Sequence, residues 1–252
     1  MTNHQKNLSR FFVCYINFIE VELYNSLLEI SVGRCNGILY MFLKIINTIV
    51  KKDIDEELSE RLLGKMAENV ELYKKKSIIN SISHLSVNLN SDEIDSFIDE
   101  EFIRLLDLFL VAFNDFSQIL PKLALDKDTK MSFNIIDGTR PTLTQALLEF
   151  NNALSHIAAA MCHKDKQDTK SNIKKAKAHL YRGSLDCYKM LIRFLFTSET
   201  KNKELETYKK IRLKEFDGLG GEIQNKLELI NEYKELVTKL VVMGNIRHPN
   251  SL

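Results

Sequence analysis

Residues that break helices are scarce in this chain, which has only 9 glycines and 3 prolines among 252 residues. Glycine and proline mark turns and end helices, so their scarcity argues against a protein of many short strands. No segment alternates apolar and polar residues over a useful length, so we predict no sheet. The fold class expected from the sequence is therefore all-α, a helical bundle.

An excess of charge and a metal-binding cysteine pattern are also missing. The 35 basic and 34 acidic residues nearly cancel, so any nucleic-acid surface must be a local patch. No two cysteines form a C-x-x-C pair, which leaves a zinc knuckle or a thioredoxin-like motif without support. The apolar or helical context of each cysteine predicts buried free thiols in a reducing compartment. The four cysteines are Cys14, Cys35, Cys162 and Cys187.

Long uninterrupted apolar runs are absent as well. A membrane-spanning helix needs about 20 predominantly apolar residues. The most apolar region, residues 11–50, is interrupted by five charged residues. The start of the chain is polar, and no small-residue cleavage site follows an apolar stretch, so we expect no secretory signal. We therefore expect a cytoplasmic protein with no membrane partner. The five interrupting residues are Glu20, Glu22, Glu29, Arg34 and Lys44.

Familiar catalytic and cofactor templates do not occur. The chain has no G-x-S-x-G elbow, no G-x-x-x-x-G-K-[ST] loop, no G-x-G-x-x-G after a strand and no H-E-x-x-H. His156 and His163 are two helical turns apart, roughly 10.5 Å along the axis, which is too far for both to bind one zinc ion. We expect neither a metal nor a cofactor.

Apolar spacing predicts eight helices and an irregular stretch between the fourth and fifth. Asp137-Gly138 is a turn signal within the irregular stretch, residues 125–140. Pro121 should end the fourth helix, Pro141 should open the fifth, and Ser171 should cap the sixth. The fifth and sixth should form an antiparallel hairpin. The predicted helices cover about 8–31, 36–51, 53–87, 91–121, 141–163, 171–197, 201–216 and 222–243.

Two polar strips lie opposite the apolar stripes of the fifth and sixth helices. At about 100° per residue, the strip on the fifth helix falls within an arc of roughly 60°. Such strips are typical of solvated helix faces, but they would also suit a shared groove or a dimer cleft with titratable side chains. The strips comprise Glu149, Asn152, His156 and His163 on the fifth helix, and Lys175, His179, Arg182, Asp186 and Arg193 on the sixth.

The segment Glu149-Phe150-Asn151-Asn152-Ala153-Leu154-Ser155-His156 resembles the signature of HEPN domains, which are small helical bundles of prokaryotic toxins, defence proteins and RNA-processing enzymes. The family motif is an arginine, a polar residue, three variable residues and a histidine. Asn152 matches the polar residue and His156 the histidine, whereas Asn151 occupies the arginine position. The resemblance covers about residues 95–197 and implies a HEPN-like bundle at 91–252 with an added helical region at 1–90.

The resemblance also implies a chemistry. In the family, the arginine and histidine of two protomers meet and cleave RNA without a metal, the arginine neutralising phosphate and the histidine activating the 2′-hydroxyl. Asn151 carries no charge, so Arg182 or Arg140 would have to replace the arginine in space. We therefore expect His156, Asn152 and Arg182 as catalytic candidates and the rest of the strips as binding residues.

Three classes of function stay open at this point. The first is a non-catalytic binding or regulatory subunit of a prokaryotic defence or RNA-linked system, with a homodimer or partner protein, and RNA as a further partner. The alternative is a metal-independent endoribonuclease of HEPN type. The third is a purely structural partner, which a large apolar surface without a basic groove would favour.

Overall fold

The computed structural model describes residues 1–27, 36–51, 53–76, 93–123, 134–136, 140–142, 144–162, 165–196, 202–218 and 223–243. Almost all of these residues are helical, which confirms the all-α class. The elements are α1 (Asn3–Leu27), α2 (Asn36–Ile49), α3 (Glu56–Lys76), α4 (Ile94–Phe97), α5 (Glu100–Leu123), β1 (Asn134–Ile136), β2 (Arg140–Thr142), α6 (Thr144–Cys162), α7 (Lys166–Leu195), α8 (Asn202–Asp217) and α9 (Ile223–Met243).

The chain divides into two compact units that interleave in sequence. Unit 1 comprises residues 1–110 and 147–180, and unit 2 comprises residues 111–146 and 181–252. Helices α5, α6 and α7 each contribute residues to both units. The division of the chain at residue 90 that the resemblance implies stays a prediction.

Unit 1 has an aromatic core. In it α1 packs against α2 and α3. Phe18 and Phe42 meet edge to face, with ring centroids 5.1 Å apart. Phe109 of α5 stacks on Phe150 of α6 at 5.8 Å. These rings are almost fully buried, and aromatic pairs of this geometry contribute beyond their buried area.

A partly buried lysine connects α7 to the start of α5 in unit 1. Lys177 donates to Asp99 Oδ2 at 2.6 Å and to Glu101 Oε2 at 2.7 Å, and its side chain is only 14% exposed. Asp99 also caps α5, because its Oδ1 accepts from the amide of Phe102 at 2.9 Å. One carboxylate therefore fixes both the beginning of α5 and the position of α7.

Unit 2 includes the antiparallel pair α8 and α9. Lys214 of α8 donates to Glu232 of α9 at 2.5 Å, and Tyr233 donates to Glu215 at 2.5 Å. Glu215 also accepts from Lys189 of α7 at 2.7 Å. This half-buried carboxylate thus joins three helices of the unit.

Several helix starts differ from the sequence-based prediction because side chains cap them elsewhere. The first helix begins at Asn3 rather than near Leu8, since Thr2 and Gln5 form a reciprocal capping box. Helix α7 begins at Lys166, and the predicted cap Ser171 lies inside it. Asp165 is the cap instead, because its Oδ1 accepts from the amides of residues 167 and 168 at 2.7 and 3.0 Å.

The predicted fourth helix is two helices, α4 and α5. The chain leaves the helix at Ile98 and re-enters it where Asp99 caps α5. The expected start at Ser91-Asp92 lies outside the described residues, and Glu93 makes no side-chain cap. Pro121 does not end α5, which continues to Leu123, because a proline in the last turn interrupts few backbone hydrogen bonds.

The prediction that the chain contains no sheet was wrong in one place. Strands β1 and β2 pair antiparallel, with Ile135 opposite Pro141. β-Branched residues favour extended backbone, and proline is tolerated in a two-stranded ribbon, where every strand is an edge. Pro141 therefore does not open a helix, and α6 starts at Thr144. The Asp137-Gly138 turn lies outside the described residues.

Three of the cysteines are described, and all three are free thiols. Only Cys187 is fully buried; Cys14 is half-buried, and Cys162 is exposed at the last residue of α6. The prediction of buried thiols was thus wrong for Cys162, since a helix end has fewer neighbours to cover it. Cys35 lies outside the described residues.

In the described part of the chain, no helix has the length and apolarity to cross a bilayer.

Candidate functional site

Three residues of the polar strips, Glu149 and His156 of α6 and His179 of α7, meet within unit 1. Glu149 Oε2 of α6 lies 2.7 Å from His179 Nδ1 of α7, and His156 Nδ1 lies 2.9 Å from Asn172 Oδ1. The two pairs are separated by seven residues along each helix. The residue that comes first on α6 pairs with the one that comes second on α7, as an antiparallel hairpin requires. We call Glu149, His156, Asn172 and His179 the polar cluster.

The polar cluster is not the solvated face that the helical pattern alone would suggest. Glu149 is 8% exposed as a residue, and the His179 side chain is 15% exposed. The imidazole rings of His156 and His179 stack with centroids 5.2 Å apart and planes inclined by 20°. Packing of α7 against α6 therefore covers polar groups that lie opposite the main apolar stripe.

The hydrogen-bond network assigns the proton on His156. Asn172 Nδ2 donates to the carbonyl oxygen of Asp168 at 3.0 Å, so its Oδ1 is the atom that faces His156. An amide oxygen only accepts, which makes Nδ1–H the donor and leaves the Nε2 of neutral His156 with a lone pair. The ring therefore has the tautomer of a general base.

The surroundings of His156 keep it neutral. Partial burial lowers the pKa of His156 below its ordinary value, and the electrostatic effects of His179 and Lys175 lower this pKa further. The hydrogen bond with Asn172 opposes these effects without reversing them. Near neutral pH, His156 is thus uncharged.

Asn151, which occupies the arginine position of the HEPN motif, is engaged on another side of α6. The hydroxyl of Tyr15 lies 2.8 Å from the Asn151 carbonyl oxygen, 2.9 Å from Asn151 Oδ1 and 2.7 Å from Ser155 Oγ. Tyr15 is completely buried. Residues 151 and 155 thus anchor α6 to α1 through a buried tyrosine.

The other predicted site residues are dispersed. Asn152 and Lys175 belong to unit 1 and are exposed, and Lys175 acts on His156 through its charge. Arg182, Asp186 and Arg193 belong to unit 2, where the two arginines are exposed and Asp186 Oδ1 lies 3.8 Å from Lys189 Nζ. His163 lies outside the described residues, as does the side chain of Arg140.

Two residues of the network were missed in the sequence. Asn172 lies seven residues before His179 on the same face of α7, so the helical period that revealed the strips was also the signal for Asn172. Tyr15 contacts Asn151 across 136 residues, and no local sequence pattern indicates such a contact.

Chemically, the polar cluster offers a neutral base and a buried carboxylate–histidine pair. Within the described part of the chain, no three His, Cys, Asp or Glu residues are placed to hold a metal ion.

Comparisons with known proteins found no match to the chain among protein-family models, curated proteins or solved structures.

Proposed function

We propose that the chain is a non-catalytic, HEPN-like binding or regulatory subunit of a prokaryotic defence or RNA-linked system. The observation that supports this proposal is the position of Asn151. The residue that stands in place of the family's arginine carries no charge, and its side-chain oxygen lies 2.9 Å from the Tyr15 hydroxyl. A side chain held there serves packing, whereas the chemistry of the family needs a cation that reaches phosphate.

The state of the histidines supports the same proposal. His156 and His179 stack on each other, and each ring nitrogen Nδ1 is engaged, with Asn172 and Glu149 respectively. Satisfied, partly buried polar networks fix the packing of two helices. In this proposal the polar cluster holds α6 and α7 in register, and the exposed Asn152 and Lys175 contact a partner.

A second candidate, a metal-independent endoribonuclease, is favoured by one observation. Neutral His156 keeps a lone pair on Nε2, and the charge of Lys175 acts on its ring. A base beside a cation is the minimum that cleavage through a 2′-hydroxyl requires. In this alternative Lys175, rather than Arg182, would stand for the missing arginine.

Incubation with RNA in the presence of a metal chelator separates the two functions. We expect no cleavage by the wild type, and none by Asn151→Arg, because position 151 faces Tyr15. The His156→Ala variant should alter only assembly or partner binding. Chelator-resistant cleavage by the wild type that is lost in His156→Ala would establish the nuclease instead, since removal of a general base costs about 10²–10⁴-fold in rate. His4→Ala, which changes a partly buried histidine of α1, is the matched control.

A further inference from the structure

Helix α8 exposes a strip of large apolar side chains. Leu205 is 40% exposed, Leu213 62% and Phe216 72%. At about 100° per residue, the three fall within an arc of roughly 80°. The buried residues of α8, Glu204 and Ile211, lie on the other side of the helix. Single exposed apolar residues are ordinary, but three on one face of a 16-residue helix mark a contact surface.

The charges along this strip have a self-complementary order. Glu206 precedes Lys209 by three residues, and Arg212 follows it by three. If a second α8 lies antiparallel and is centred on Lys209, Leu205 of each copy meets Leu213 of the other, and Glu206 meets Arg212. Leucine thus faces leucine and opposite charges face each other in both halves of the interface, while Phe216 lies outside these matched positions, opposite Asn202.

We infer that a second copy of this chain docks on the α8 strip, antiparallel and centred on Lys209. The like charges at the centre are compensated within each copy, because Lys209 Nζ donates to Glu206 Oε1 of its own helix at 2.7 Å. A partner of another kind would not explain why Leu205 and Glu206 at one end of the helix match Leu213 and Arg212 at the other. The inference is independent of the proposed function and of the polar cluster.

The size of the strip predicts a weak association. Stable interfaces bury about 800 Å² on each partner, and a single short helix provides less. The dimer should therefore form and dissociate with concentration. Sedimentation velocity or light scattering over a dilution series gives its dissociation constant.

Charge exchange tests the orientation of the two helices. The variants Glu206→Arg and Arg212→Glu each place like charges together at both contacts of a homodimer, so each should dimerise at least about tenfold more weakly than the wild type. Mixed in equal amounts, they restore both opposite-charge contacts, so a heterodimer tighter than either variant homodimer should form. Glu206 is exposed at the surface, so the first variant leaves the core untouched.

A second pair of variants keeps the test valid if Arg212→Glu does not fold, since Arg212 also donates to Glu215 at 2.5 Å. Leu213→Glu should abolish dimerisation, whereas Leu72→Ser, which changes a 53% exposed leucine of α3, should leave it unchanged. The inference would be overturned if the wild type stayed monomeric at every concentration, or if Leu213→Glu left the dimer intact. It would also be overturned if Leu72→Ser weakened the dimer as much as Leu213→Glu, or if the folded charge variants formed no heterodimer when mixed.

Discussion

The Tyr15 hydroxyl is the best point at which to test the architecture around α6, because one atom connects α1 to Asn151 and Ser155 of α6. Its three oxygen partners lie between 2.7 and 2.9 Å away, and the tyrosine is fully buried. The Tyr15→Phe substitution removes this atom and keeps the ring. We expect the α1–α6 anchor to weaken without loss of the fold.

The size of the effect follows from what each partner retains. Ser155 Oγ still donates to the Asn151 carbonyl oxygen at 2.9 Å, so these two atoms keep a hydrogen bond. Asn151 Oδ1 loses its donor, but its side chain is only half-buried and water can replace part of the interaction. Of the three oxygen partners of the hydroxyl, only Asn151 Oδ1 is thus left with a weakened hydrogen bond. We therefore expect the free energy of unfolding to fall by about 1–2 kcal/mol, in the lower part of the range for an unsatisfied buried polar group.

Urea unfolding followed by circular dichroism measures this loss. With a slope of about 1–3 kcal/mol per molar urea, the unfolding midpoint should fall by roughly 0.3–2 M. Ser155→Ala is the matched control. It should lower the free energy of unfolding by less than about 1 kcal/mol, because the hydrogen bond between the Tyr15 hydroxyl and Asn151 remains. Since the two residues share one contact, the double variant should lose less than the sum of the single losses. Tyr15→Phe with wild-type stability, or strictly additive losses, would refute the reasoning.

Two further predictions concern titratable groups. The pKa of His156 in the folded protein lies below its ordinary value of 6.5. At a pH just below 6.5 the unfolded chain therefore binds more protons at His156 than the folded protein does. The contribution of neutral His156 to the free energy of unfolding is thus complete above this pH and is lost as the pH falls. His156→Gln should therefore lose less thermal stability than the wild type between about pH 7.5 and about pH 5, and equal losses would contradict the lowered pKa. Of the three described cysteines, a maleimide under native conditions should modify the exposed Cys162 first and Cys187 last, as followed by peptide mass spectrometry. Cys14, whose pKa burial raises to about 12, should react slowly, and modification of Cys187 as fast as Cys162 would contradict its burial.

The sequence predicted the fold class because helical periodicity is a local signal that repeats over many residues. The start of α2 at Asn36 and the end of α9 at Met243 agree with the predicted boundaries. The break between α4 and α5 was also encoded, since the apolar stripe takes a step of five residues from Phe97 to Phe102 where the helix is interrupted. A single predicted helix over residues 91–121 leaves out both this step and the capping potential of Asp99.

The candidate site was predictable only as far as helix faces reach. The strips identified Glu149, His156 and His179, and the structure brings these three together. Their burial was not predictable, because an angle around one helix does not say whether a second helix covers that face. The anchoring role of Tyr15 depends on a contact over 136 residues, which only the tertiary fold creates.

The matched spacing of the two α6–α7 pairs has a consequence for how this segment can change in length. Glu149 and His156 are seven residues apart on α6, and their partners Asn172 and His179 are seven residues apart on α7. Both hydrogen bonds can form together only while the two spacings stay equal. One residue inserted between Glu149 and His156 would turn the two side chains by about 100° relative to each other, and α7 could then meet only one of them. Insertions and deletions within this stretch should therefore disrupt the hairpin far more than most substitutions there.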